Sequence, residues 1–77
     1  MSKAYEVSAR WDSEARVWVA ESEDVPGLVA EADSPNALVE KLRILIPELL
    51  QANSVLERGI ASVELHCRIS LQLQTAM

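Results

Sequence analysis

From Val63 to Leu73, apolar and polar side chains alternate without an exception: Val63, Leu65, Cys67, Ile69, Leu71 and Leu73 against Glu64, His66, Arg68, Ser70 and Gln72. Only an extended chain sends every second side chain to the same face, so this run predicts a β-strand with one apolar and one wet side. A strand of about twelve residues is twice the usual length, and at about 3.3 Å per residue it spans about 40 Å. One helix does not cover that distance. A strand with an uncovered end invites pairing with another chain, and a second copy is the simplest partner.

The rest of the chain reads as a companion to that strand. Tyr5, Val7, Ala9 and Trp11 alternate with Glu6, Ser8 and Arg10, which predicts a first strand. Asp12 to Ala15 forms a turn into a second strand, Arg16 to Ser22, whose inward face is ambiguous because Val17/Val19 and Trp18/Ala20 are both apolar. Pro26 supplies the fixed φ and Gly27 the positive φ of a type II turn, and a short strand from Leu28 to Ala32 follows. Ser34 is a good N-cap, with Pro35 at the first helical position. Leu38, Leu42, Leu45, Leu49 and Leu56 recur at helical spacing, and Val39, Ile46 and Leu50 widen the stripe. Pro47 falls inside this pattern, so the helix is expected to kink or divide near Leu45-Ile46 and resume to about Leu56, before a connection through Arg58-Gly59. The order is β-β-β-α-β. It predicts an α+β fold in one domain over residues 1–77, an antiparallel sheet with its helix packed on one face.

At 77 residues the chain buries only about 60% of its unfolded surface, which is marginal for a monomer. One cysteine and one histidine provide neither a disulfide nor a Cys/His zinc site. Oligomerisation is the remaining support for a scaffold of this size, so a homodimer or higher homo-oligomer is expected. No stretch approaches the roughly 20 apolar residues that cross a bilayer, and Met1 to Glu6 carries no apolar run of a signal peptide. With the free thiol, this points to a cytoplasmic location and no membrane partner.

The net charge of −5 is concentrated. Between Asp12 and Asp33 stand seven acidic residues and one basic one, against five and six elsewhere. Nucleic-acid binding needs the reverse, Lys and Arg clustered on one face, and is not expected. The acidic third either attracts a basic partner or serves solubility alone.

No catalytic constellation emerges from the same residues. His66 and Cys67 are adjacent, and adjacent strand residues point to opposite faces, so they make no dyad. Cys67 is expected as a small core residue and His66 at the surface. Asp12 and Glu14 in the turn, and Glu21, Glu23 and Asp24 at a strand end, lack the spacing of a calcium loop and read as solvated surface. With only Gly27 and Gly59 there is no glycine-rich phosphate loop. Trp11 and Trp18 sit amid acidic charge and belong to a core or a dimer interface. The expectation is a protein that is not an enzyme, with no cofactor and no metal.

Several segments resemble the HicB-like superfamily, antitoxin-type proteins paired with small HicA-type toxins in bacteria. The stretch W-D-S-E-A-R-V-W-V-A-E-S (11–22) is similar to that family's hairpin, D-V-P-G-L (24–28) to its Pro-Gly turn, and E-A-D-S-P-N-A-L (31–38) to its strand-to-helix passage. I-P-E-L-L-Q-A-N (46–53) most resembles a small stand-alone branch of uncharacterised bacterial proteins. The resemblance covers roughly residues 4 to 74 and implies a partial double-stranded-RNA-binding-like fold that does not itself bind RNA. It also implies a basic, RNA-cleaving partner blocked by protein contact, which suits an acidic surface. HicB antitoxins continue into a C-terminal DNA-binding segment; none is expected here. The expected contact residues are Asp12, Glu14, Glu21, Glu23, Asp24, Glu31 and Asp33, around the turn Pro26-Gly27. The alternative expectation is a stand-alone homodimeric scaffold with no toxin.

Overall fold

A computed structural model describes residues 4–52 and 62–76. Its elements follow the expected order: β1 Ala4–Asp12, β2 Val17–Glu21, β3 Val29–Ala32, α1 Pro35–Ala52 and β4 Ser62–Arg68. The strands form one sheet in the order β3-β2-β1-β4, and α1 packs on one face of it. The α+β architecture is therefore as read from the sequence, with one correction. The sheet is mixed, not antiparallel: β1–β2 and β2–β3 are antiparallel, whereas β4 runs parallel to β1, from Ala4 opposite Ser62 to Arg10 opposite Arg68. Two tight reversals return β3 to the direction of β1. The chain then reaches β4 through a helical crossover, the kind of connection that parallel strands require.

The β1–β2 hairpin is closed by Asp12. Its carboxylate accepts hydrogen bonds from the Glu14 and Ala15 amides (3.0 and 3.2 Å), and its carbonyl accepts one from the Arg16 amide (2.7 Å). Arg16 closes the loop in the left-handed region, φ 59°. The resulting register resolves the ambiguous face of β2. Trp18 lies opposite Trp11 and Ala20 opposite Ala9, so Trp18 and Ala20 face the helix while Val17 and Val19 line the other side. The Pro26-Gly27 turn is type II as expected: the Leu28 amide donates to the Val25 carbonyl (3.2 Å) and Gly27 has φ 81°.

Ser34 caps α1, its hydroxyl accepting from the Ala37 amide (3.1 Å) and its carbonyl from that of Leu38 (3.0 Å). The buried row of the helix is Leu38, Leu42, Ile46 and Leu50, spaced by four residues, with Leu45 and Leu49 on its flank. These large side chains meet a sheet face built of Val7, Ala9, Ala20, Ala30 and Ala32, with Val25 and Leu28 closing one end. Large helix residues over small sheet residues let the two layers approach closely.

Of the two outcomes expected at Pro47, division does not occur: the helix runs unbroken from Pro35 to Ala52. Pro47 removes the hydrogen bond to the carbonyl of Arg43, and because both residues are exposed, water can satisfy that carbonyl. The expected extension to Leu56 and the Arg58-Gly59 connection lie outside the described residues. The closing strand covers seven residues, not about twelve, and residues 69–76 have no regular structure. Cys67 is likewise exposed, not a core residue. It lies beside buried Ala9, on the row that should face the helix, but α1 is centred over β3 and β2, and both β2 and β1 lie between β3 and the strand that carries Cys67.

Candidate interaction face

The face of the sheet opposite α1 carries the charged side chains. Strand parity assigns Glu6, Ser8 and Arg10 of β1, Glu21 of β2, Glu31 of β3, and Glu64, His66 and Arg68 of β4 to this side. At the β1/β2 end the face is concave. Glu6, Ser8, Glu21, Ser22, Glu23, Asp24 and Arg68 line an open depression of about 530 Å³. Four of those residues are carboxylates and one is an arginine on its β4 side.

Ser22 shapes this depression. Its hydroxyl donates to the Glu6 carbonyl (2.6 Å) and accepts from the amides of Asp24 (3.0 Å) and Val25 (3.1 Å). Asp24 in turn accepts from the Glu6 amide (2.9 Å). The segment after β2 is thereby tied to β1, with Val25 pinned into the core and Glu23 left at the surface. Asp24 thus helps build the depression as well as contributing charge to it.

The seven acidic residues expected to form one belt fall into separate groups. Glu21, Glu23 and Asp24 come together with Glu6 in the depression. Asp12, Glu14 and Asp33 lie at the opposite end of the strands, since β3 ends at Ala32 opposite Trp18 and the β1–β2 loop begins at Asp12. Glu31 stands between them, opposite Val19. Pro26 and Gly27 belong to the helix side, where a Cβ on Gly27 would lie 3.7 Å from Leu49 Cδ2.

Sequence reasoning missed Glu6, Glu64, His66 and Arg68 as neighbours of this acidic end. Their period-2 parity was legible, but the parallel register that sets Glu6 opposite Glu64 was not. His66 Nε2 lies 3.3 Å from Glu6 Oε1 and 3.6 Å from Glu64 Oε2. Among the described residues this is the group whose potential metal ligands gather, within 4.8 Å of one another. All three side chains are more than half exposed, and an imidazole lying beside two solvated carboxylates accounts for the arrangement. His66 is at the surface, as expected. Trp11 and Trp18 stack at a tilt on the helix side, ring centroids 5.6 Å apart and both half-buried. No described helix is long and apolar enough to cross a membrane.

The profile of a domain family described as a domain of unknown function (DUF1902) matches residues 4–76. The chain belongs to this family. A solved structure similar to this DUF1902 chain is that of hypothetical protein TTHA1013 from the extremely thermophilic bacterium Thermus thermophilus. It is 44% identical, covers 95% of this chain and 100% of that chain, and superposes with a TM-score of 0.72. No curated protein matches the DUF1902 chain.

Proposed function

We propose that this DUF1902 domain is a HicB-like, cytoplasmic bacterial protein-interaction module that acts without catalysis, antitoxin-like, by holding a small basic HicA-type partner on the acidic depression. The observation that carries this reading is the convergence of Glu6, Glu21, Glu23 and Asp24 on one concave site. The sequence resemblance supplies the partner class. Complementary charge would speed encounter and fix orientation, while Val17, Val19 and Val29 on the same face offer apolar surface to bury after docking.

The test uses a purified small basic HicA-type protein, encoded beside this chain where such a gene exists, and follows association at several salt concentrations. Glu21→Lys with Glu23→Lys should slow association about tenfold or more at low salt and flatten its salt dependence. An unchanged rate would leave the carboxylates as a solubility device. A wild-type chain that does not bind would exclude the antitoxin reading.

The second reading is a stand-alone homodimeric scaffold without a toxin. It is favoured by Ile69, Leu71 and Leu73, which stand 53, 70 and 78% exposed beyond the end of the sheet.

A further inference from the structure

We infer that β4 and the segment after it form a self-pairing surface, on which a second copy of this chain adds antiparallel to β4 about a twofold axis close to residues 67–69. This gives the self-association named above a location and a geometry, and it does not depend on a toxin partner. Among the described residues, large exposed hydrophobic side chains occur at Val29, Ile44, Val63, Ile69, Leu71 and Leu73. Four of these six fall on one alternating run, Val63 to Leu73, which includes half-buried Leu65 and exposed Cys67. The run follows β1 only as far as Arg10 opposite Arg68 and then continues with no partner strand among the described residues.

The two edges of the sheet differ. At β3, four residues long, the Lys41 ammonium reaches over from α1 and donates to the Glu31 carbonyl (2.6 Å), taking up part of that edge. Covering an edge strand from a helix, here through a side chain that occupies a backbone acceptor, is a recognised guard against unwanted pairing. β4 has no such guard among the described residues. It is the longer strand, and its pattern continues past its end.

Why a second copy should be the occupant follows from the pattern itself. A twofold axis perpendicular to the sheet makes paired residue numbers sum to a constant, so an axis at an odd-numbered residue sets odd positions opposite odd ones. Leu65 and Leu71 then meet apolar residues of the second copy, and the polar row meets the polar row. Axes at Cys67 and Ile69 both do this and avoid setting Arg68 against its own copy, where like charges would repel. The contact is isologous, so it closes at two chains and leaves no free β4 edge for a third.

Sedimentation equilibrium of the full chain tests this. The wild type should sediment at twice its 8.5 kDa chain mass at submillimolar concentration. Leu71→Arg, which would bury a charge on each side of the axis, should weaken the dimer about a hundredfold or more. Its far-UV circular dichroism should be unchanged, because Leu71 is 70% exposed and outside regular structure. If that variant unfolds, Leu73→Arg replaces it. Val29→Lys, on the β3 edge, should leave the dimer intact. A monomeric wild type overturns both this inference and the scaffold reading. A dimer that survives Leu71→Arg overturns the location alone.

Discussion

Replacing Ser22 with alanine should cost this protein far more than an ordinary surface serine. Three hydrogen bonds converge on its hydroxyl: it donates to the Glu6 carbonyl and accepts from the Asp24 and Val25 amides. They are not equally exposed. The bond to the Glu6 carbonyl is exposed, and the part-buried Asp24 amide belongs to a residue that lines the open depression, so each loses only a few tenths to about 1 kcal/mol. The Val25 amide belongs to a residue with no exposed surface, and leaving its donor unpaired costs about 1–3 kcal/mol. The expected loss is about 2 kcal/mol, or about 8–16 °C in Tm for a domain this small. Equilibrium urea unfolding is the assay: the midpoint should fall at constant slope, with Ser22→Thr retaining most of the stability because the hydroxyl remains. Ser13→Ala, on the exposed β1–β2 loop, should stay within about 0.5 kcal/mol of wild type. Equal losses for Ser22→Ala and Ser13→Ala would refute the view that this hydroxyl holds the depression together.

Two loop positions should respond in opposite directions. Gly27→Ala places a side chain at φ 81° with no steric clash, since its Cβ would meet Leu49 Cδ2 at 3.7 Å, so a conformational cost of about 1–2 kcal/mol is expected in urea unfolding. Arg16→Gly relieves a side chain already held at φ 59° and should stabilise the hairpin by up to about 1 kcal/mol, partly offset by the greater freedom of glycine in the unfolded chain; a lowered melting temperature would contradict this.

Local signals carried much of this fold in advance. The Pro26-Gly27 turn and the Ser34 cap depend on neighbouring residues and appear as read, because turn and cap chemistry is decided over three or four positions. The failures share a different cause. That β4 pairs parallel with β1 depends on the path of a long crossover, which no local pattern encodes. That the alternation from Val63 to Leu73 outlasts its strand shows that period 2 marks what a segment is suited to, while the hydrogen-bonded length depends on the neighbour beside it. Cys67 failed in the same way: its row was right, but its own position in that row is exposed. For the candidate site, Glu21, Glu23 and Asp24 were legible as an acidic cluster, whereas Glu6 joins them only through the Ser22 and Asp24 hydrogen bonds to β1. Grouping Asp12, Glu14 and Asp33 with them treated nearness in sequence as nearness in space.

The uneven cover of the sheet follows from dimensions. Adjacent strands lie about 4.8 Å apart, so the outer strands of four are separated by about 14 Å, while a helix with its side chains is about 10 Å across. One helix therefore cannot cover both edges. The link from β3 to α1 is only Asp33-Ser34, which forces the helix to start over β3. Alanines at 20, 30 and 32 then make that side of the sheet the closest seat for Leu38 and Leu42. Among the described elements the strand farthest from the helix is the one at the far edge, β4, and its helix-side row carries exposed Val63 and Cys67 on either side of Leu65, which reaches the core. An uncovered strand whose surface had to remain wet would be expected to carry polar residues on both faces. This one keeps an apolar row and continues it through Ile69, Leu71 and Leu73, a pattern that makes physical sense when another strand lies alongside.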